Sequence, residues 1–230
     1  VRRLAISPLD RAMWEDEVRW INLADGRFRD CLEHAPSEHA AIANLVAGTE
    51  RDRSTLSKAL DLGKGVILAT AHIGAMFAGP IAMGKIGLPV SIVASTPDLG
   101  EGRLSEFDNV RLISAASNDV VVLTRQILRD LASNRIVVIA IDGTSFPGMP
   151  RFDLFDRSIA LSDFVPRRAY KSKIPTFYSD LRWLDGQVTT TLLPLPEQEN
   201  AETEANFVAR WMQAYIEGIA SMFAQSPANL

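Results

Sequence analysis

Two short apolar runs decide the fold of this chain. They are Val66-Ile67-Leu68-Ala69-Thr70 and Ile136-Val137-Val138-Ile139-Ala140-Ile141. Each has the length of a strand and is rich in β-branched residues. Neither alternates with polar residues, which is typical of strands buried on both faces of a sheet. Because helical patterns lie between such runs, we expect an α/β fold with a mainly parallel central sheet covered by helices on both faces.

The rest of the chain continues this alternation. Further strands are predicted at 89–94 and 110–113, a hairpin at 176–183 and 187–193, and helices at 75–86, 119–132, 162–171 and 201–223. The first part of the chain is helical instead, with helices predicted at 9–28, between 36 and 48, and at 54–62. We therefore predict one domain of 230 residues, with a helical lead-in at 1–63 and an α/β core at 64–230.

The composition limits the classes of function. Apolar residues make up 47% of the chain and charged residues 23%, which is enough apolar surface for a full core. With a net charge of −4, the chain is not a general polyanion binder, so we expect no nucleic-acid partner. The single cysteine, Cys31, cannot form an internal disulfide, and no Cys/His group has zinc-site spacing. We expect no metal and no cofactor.

The location of the protein is predicted from what the apolar segments contain. The start of the chain lacks the apolar run of a signal peptide. The uncharged stretch 65–84 has about the length of a spanning helix, but it contains His72, Pro80 and several glycines. A strand, a loop and the start of a helix explain it better than a membrane span. We expect a cytoplasmic protein, either free or peripheral on the inner membrane.

The first candidate for chemistry is His72, which follows the run 66–70 and precedes a glycine, Gly74. Ligands of parallel sheets bind beyond the carboxyl ends of the strands, so this histidine is well placed to act as a general base. A partly buried histidine with only structural contacts explains the position equally well. His34 and His39 lie in the helical lead-in among polar neighbours and are expected to be surface residues.

The second candidate is Asp142, at the end of the run 136–141. A carboxylate at a strand end, followed by a Gly/Pro-rich loop, is common at ligand sites, and Asp142 can orient His72 if their strands are neighbours. A carboxylate that caps local backbone amides is the alternative. We predict His72 and Asp142 as catalytic residues. The predicted substrate-binding residues are Gly74, Gly143, Ser145, Arg151 and Arg157.

These segments resemble the bacterial lipid A late acyltransferases, the lauroyl/myristoyl transferases of the lysophospholipid acyltransferase superfamily. The resemblance runs from about Ser54 to Leu230 and rests on the strand and His-x-Gly turn at 65–74, the turn at 87–90, the block ending in Asp142, the segment 152–162 and the strand at 174–177. It implies transfer of a fatty acyl group from an acyl carrier protein or coenzyme A thioester to a lipid or small-molecule hydroxyl or amine. His72 is the general base in that scheme.

One position departs from that family's pattern. The family motif is histidine, four residues, then aspartate or glutamate, and the last position here is Phe77. Phenylalanine cannot hold the imidazole tautomer or stabilise an imidazolium. Three hypotheses follow: Asp142 supplies the carboxylate of a working acyltransferase; the site has decayed and the protein binds acyl chains or acyl carriers without turnover; or the helix at 75–87 forms an assembly surface.

Overall fold

The structure is a computed structural model that describes residues 8–34, 50–95, 109–115, 119–142, 149–154, 157–184 and 187–225. Its helices are α1 (Pro8–His34), α2 (Glu50–Leu60), α3 (Ala78–Lys85), α4 (Val120–Ala132), α5 (Phe164–Ser172) and α6 (Glu204–Gln225). Its strands are β1 (Val66–Thr70), β2 (Val90–Ala94), β3 (Val110–Ser114), β4 (Ile136–Ala140), β5 (Arg151–Leu154), β6 (Arg157–Ala160), β7 (Thr176–Leu184) and β8 (Gln187–Pro194).

The centre of the fold is a six-stranded sheet with the order β3-β2-β4-β1-β7-β8. The pairs from β3 through to β7 are parallel, and only β7 and β8 pair antiparallel. The prediction of an α/β fold with a mainly parallel sheet is confirmed. The register sets Val66 of β1 beside Ile136 of β4 and Thr70 beside Ala140, so the two strands end side by side.

Successive residues of the central strands belong to two different apolar clusters. In β1, Leu68 belongs to a cluster that contains residues of α1, α2 and α3, whereas Ile67 belongs to one with residues of α4, α5 and α6. Side chains of a strand alternate between the two faces of the sheet, so an unbroken apolar sequence supplies both clusters. This is the physical reason why the runs 66–70 and 136–141 lack polar alternation.

Local chemistry sets the connection between α4 and β4. The Asp119 carboxylate caps α4 by accepting hydrogen bonds from the N–H groups of Val121 (2.9 Å) and Val122 (3.1 Å). After the helix, Asn134 adopts a left-handed conformation with φ +57°. Its side-chain amide accepts from Gly65 N–H at 3.0 Å and donates to the Leu60 carbonyl at 3.0 Å, which ties this turn to the segment that leads into β1.

The structure differs from the sequence prediction at several places. Helix α3 begins at Ala78 rather than 75, because the residues from 72 to 77 form turns. All residues from Ala78 to Gly84 are buried inside the fold, so the hypothesis that this helix forms an assembly surface is wrong. The antiparallel pair β5–β6 was not predicted. The helix predicted between 36 and 48 lies outside the described residues.

No helix in the described ranges combines the length and the apolar character that crossing a bilayer requires. The longest helices, α1 and α6, bury one face each against the sheet clusters and leave polar residues on the other.

Candidate functional site

The loops after β1 and β4 bring His72 and Asp142 together. Their strands are parallel neighbours, so residues two positions beyond each strand end lie side by side. The Asp142 Oδ1 lies 2.8 Å from His72 Nδ1. The same carboxylate accepts the backbone N–H of His72, at 3.0 Å to Oδ2 and 3.2 Å to Oδ1. The carboxylate therefore fixes both the imidazole ring and the backbone that carries it.

These contacts determine the state of the imidazole. Because Nδ1 faces the carboxylate, it carries the proton, and Nε2 is the ring nitrogen that Asp142 leaves for a ligand. The hydrogen bond that Nδ1 donates to Asp142 raises the pKa of His72 above its ordinary value, partial burial opposes that rise, and the negative charge of Asp142 adds to it. The imidazole side chain is 48% exposed and the carboxylate 26%, so both can be reached from solvent.

A tyrosine of the last helix holds the end of β1. The buried Tyr215 hydroxyl donates to the Thr70 carbonyl at 2.7 Å, and the Ile141 N–H donates to the same carbonyl at 3.2 Å. Tyr215 stacks on Trp211 with ring centroids 5.7 Å apart and meets Tyr178 edge-on. Sequence analysis predicted the helix that carries Tyr215 but did not connect this residue with the site, because nothing in the local sequence identifies its partner.

A pocket of about 440 Å³ opens beside Asp142. Its wall combines one carboxylate, one guanidinium and a mainly apolar surface contributed by the loop after β1, the β5–β6 pair and α6. The lining residues are Ala71, Ile73, Asp142, Arg151, Leu154, Ile159, Ala160, Ile219 and Phe223. Sequence analysis did not predict the apolar part, because it comes from four separate segments and requires the β5–β6 pair to fold over the strand ends.

The structure places the predicted substrate-binding residues differently with respect to the pocket. Arg151 lines the pocket, and its guanidinium donates to the Ser158 hydroxyl (3.0 Å) and carbonyl (2.6 Å) across the β5–β6 pair. The backbone of Arg157 begins β6, opposite Leu154. Gly143 and Ser145 lie outside the described residues.

Gly74 has a structural requirement of its own. Its φ is +65°, and a Cβ at this position would lie 2.0 Å from the Leu181 carbonyl oxygen. The next N–H, of Ala75, donates to that same carbonyl at 2.9 Å. The glycine therefore lets the loop that carries His72 close onto β7, and this close approach explains the residue without a ligand.

Phe77 lies away from the pocket, buried in the cluster that contains α1, α2 and α3. The position that carries an acid in the acyltransferase motif is thus a core position here. The carboxylate beside His72 comes from the loop after β4 instead. Within the described ranges, no group of three His, Cys, Asp or Glu side chains comes together as a metal site.

Comparison with known proteins gives one informative similarity. No family model matches the chain. The chain is 28% identical over 224 residues to the Vi polysaccharide export protein VexE of Salmonella typhi. The similarity covers 97% of this chain but 34% of VexE, so the chain spans about a third of the length of this relative.

This similarity corrects the function predicted from the sequence. VexE is named as a polysaccharide export protein, so the predicted membership of the lipid A acyltransferases is wrong, and the chain is not assigned as an enzyme of acyl transfer. The predictions that depended on this assignment are wrong as well. They are the thioester donors, the lipid and small-molecule acceptors, and the alternative of an inactive acyl-chain or acyl-carrier binding protein. The resemblance rested on the order of short apolar and glycine-containing blocks, which many parallel α/β folds share.

Proposed function

We propose that this chain acts in the export of a polysaccharide and that the pocket beside His72 and Asp142 binds a saccharide unit of the exported polymer. The similarity to VexE along 97% of the chain supports the export role. The task that we assign to it within export is to hold the polymer.

The Asp142 carboxylate at the edge of the apolar pocket is the observation that carries this proposal. Sugars present hydroxyl donors around the ring and apolar C–H faces above and below it. A binding site for them needs charged or polar acceptors next to apolar surface. The volume of about 440 Å³ falls in the range of small-ligand pockets, roughly 300–1,000 Å³.

Each polar group of the site has a separate part in this proposal. The Asp142 oxygens accept hydrogen bonds from sugar hydroxyls. His72 does not line the pocket, and its part is to hold the Asp142 carboxylate in place through Nδ1 and the backbone N–H. Arg151 donates to ring or hydroxyl oxygens while Ser158 holds its guanidinium. The apolar surface from Ile219 and Phe223 contacts a C–H face of the sugar. Asp142 binds the ligand and His72 positions Asp142 in this scheme, and neither carries out turnover.

We also propose that helices cover both faces of the sheet and that the protein works in the cytoplasm or at the inner face of the inner membrane. The division of the strand residues into two apolar clusters, each with three helices, supports the first statement. The second agrees with the absence of a spanning helix in the described part of the chain. Fusion of a compartment-dependent reporter to the carboxyl end tests the location.

Saccharide binding is tested by titrating the protein with oligosaccharides from partial hydrolysis of Vi polysaccharide, together with neutral oligosaccharides, in a calorimeter. We expect Asp142→Asn to weaken binding by roughly tenfold or more, because a hydrogen bond to a charged group contributes about 1.5–3 kcal/mol. Asp153→Asn is the matched control, since Asp153 is exposed on β5 and does not line the pocket. Equal affinities for Asp142→Asn and the wild type would refute the proposed site.

The export role is tested in the host. We expect deletion of the gene to remove the polysaccharide from the cell surface while polymer accumulates inside, and the wild-type gene to reverse both effects. Asp142→Asn should fail to reverse them, and Asp153→Asn should succeed. Unchanged surface polysaccharide in the deletion strain would contradict the export role, whereas full reversal by Asp142→Asn would contradict only the binding site.

A further inference from the structure

A second pocket lies at the other end of the parallel strands from His72. Its volume is about 230 Å³. Lys64 precedes β1, Ile174 and Pro175 precede β7, and the segment 196–198 follows β8, whose end pairs with the start of β7. This pocket therefore lies beyond the amino ends of the parallel strands. It shares no lining residue with the pocket beside Asp142.

The floor of this second pocket is apolar and rigid. Phe207 and Ile174 are buried with 1% and 7% exposure, and Ala169 of α5 lies beside them. Two prolines, Pro175 and Pro196, restrict the backbone on either side. Such a surface can contact an apolar or ring-shaped group without reorganising.

The rim carries two ammonium groups. Lys64 and Lys173 both line the pocket, and Lys64 Nζ donates to the Lys173 carbonyl at 3.5 Å. Among the described residues, neither ammonium group has a carboxylate within salt-bridge distance. Glu197 also lines the pocket, so the lining includes two lysines and one glutamate, a net positive charge. Leu62 lies at the edge with 61% of its surface exposed, which leaves further apolar area for a ligand.

We propose that this lysine pocket, formed by the lining residues around Lys64 and Lys173, binds a small organic anion. A carboxylate, phosphate or sulfonate group pairs with the two ammonium groups, and an apolar or ring portion lies on the floor formed by Ile174 and Phe207. Lysine acts as a mobile point charge rather than a fixed fork, so the pocket recognises negative charge without demanding one anion geometry. This inference stands independently of the saccharide site.

The position of Lys173 supports this assignment. It is the residue at the carboxyl end of α5, in a left-handed conformation with φ +50°. That conformation is uncommon for a residue with a side chain, and glycine is the usual choice at this place in a helix. The lysine side chain thus lines the pocket from a backbone position where glycine would be less strained.

The probe for this proposal is 8-anilinonaphthalene-1-sulfonate, an aromatic anion whose fluorescence rises in apolar surroundings. We expect Lys64→Met and Lys173→Met each to raise its dissociation constant roughly fivefold at low salt, as a partly exposed ion pair contributes up to about 1 kcal/mol. The matched control is Lys171→Met, because Lys171 lies on the same helix but pairs with Glu204 at 3.9 Å and does not line the pocket.

The neutral analogue N-phenyl-1-naphthylamine separates charge recognition from apolar contact. We expect it to bind more weakly than the sulfonate and to bind the wild type and the lysine variants equally. Competition with phenyl phosphate and benzoate then tells which anionic group is preferred. Equal sulfonate affinity in Lys64→Met, Lys173→Met and the wild type, or an equal loss in Lys171→Met, would overturn the proposal.

Discussion

The two ends of the parallel sheet hold their charged groups in different ways. At the carboxyl end, His72 and Asp142 are bound to each other at 2.8 Å, and a backbone N–H fixes the carboxylate. At the amino end, Lys64 and Lys173 point their flexible side chains over an apolar floor. At the carboxyl end, the geometry fixes the direction of each hydrogen bond. At the amino end, the lysine ammonium groups supply positive charge without a fixed hydrogen-bond direction, which suits ligands of variable shape.

The difference follows from the chain connections at each end. The end of β1 and the loop after it are held by contacts from β7 and α6, through Leu181 and Tyr215, and Ile141 after β4 donates to the Thr70 carbonyl. The amino ends are reached from helices α2 and α5 through the short segment 61–64 and through Lys173, all of which are exposed. Polar groups at the carboxyl end are therefore packed by tertiary contacts, and we expect changes there to have the larger effects.

The largest expected effect comes from Gly74→Ala. A methyl group would lie 2.0 Å from the Leu181 carbonyl oxygen at a φ of +65°, so both strain and overlap oppose folding. We expect the free energy of unfolding to fall by about 3 kcal/mol or more in urea denaturation. Gly63→Ala is the control at the amino end, since its φ is +67° but no atom lies within 4 Å of the added Cβ. We expect Gly63→Ala to lower the free energy of unfolding by about 1 kcal/mol. Equal losses of stability in the two variants would contradict the view that the carboxyl end of the sheet is the more tightly packed.

The next effect concerns Asp180 on β7, which is 5% exposed and whose Oδ1 has no hydrogen-bond partner among the described residues. Burial raises the pKa of Asp180 to about 6, against the opposing charge of Arg182. The folded protein therefore holds this proton more tightly than the unfolded chain. Protonated Asp180 therefore stabilises the folded state at low pH, and this contribution to the free energy of unfolding is lost as the pH rises from about 4 to about 6.

The loss amounts to about 3 kcal/mol over that pH range. The measurement is denaturant unfolding at a series of pH values for the wild type and Asp180→Asn. We expect the stability difference between the two proteins to shift in favour of the variant as the pH rises from 4 to 7. A difference that does not vary with pH would mean that Asp180 is not titrating in this range.

A smaller effect is expected for Tyr215→Phe. The variant keeps the stacked ring but removes the hydrogen bond to the Thr70 carbonyl, which costs about 1 kcal/mol. Tyr170→Phe is the matched control, since its hydroxyl donates to the Glu202 carbonyl at 2.8 Å, away from the site. We expect similar stability losses but a changed His72 titration, followed by NMR, only in Tyr215→Phe. The same His72 titration in both variants would show that Tyr215 does not position the strand end.

The smallest effect is the titration of His72 itself. Its pKa is raised, chiefly by the hydrogen bond that it donates to Asp142, so the imidazolium stabilises the folded state below the ordinary pKa of 6.5. That contribution is lost as the pH rises through the raised value. We expect Asp142→Asn to lower the pKa of His72 in NMR titrations, and Asp153→Asn to leave it unchanged. A His72 pKa that does not respond to Asp142→Asn would contradict the contact.

Most of the sheet could be predicted from local patterns. The strands at 66–70 and 136–140 were predicted to within a residue, because a run of β-branched residues without polar alternation has few other solutions. Helix α4 was predicted at 119–132 from the spacing of its apolar residues, one residue from its observed start. Residues 75–77 were mistaken for the start of the helix, since the conformation of this loop depends on Leu181 of β7, over a hundred residues away in the sequence.

The site was predicted in part. His72 and Asp142 were singled out as strand-end residues, and their contact was conditional on the order of the strands. The apolar wall from Ile219 and Phe223 was not predicted, because residues of an amphipathic helix look alike until their partners are known. The family assignment was wrong for a related reason: short blocks in the right order report a fold, whereas function depends on what the fold brings together.

The sequence by itself determined the α/β class, the position of each central strand and the presence of a histidine and an aspartate at two strand ends. Those features depend on the period and polarity of neighbouring residues. Only the tertiary structure decided that β4 lies beside β1, that Asp142 rather than Phe77 faces His72, and that Lys64 and Lys173 border one pocket. These depend on contacts between distant residues, which form because each apolar face must be buried, and no local pattern specifies the partner.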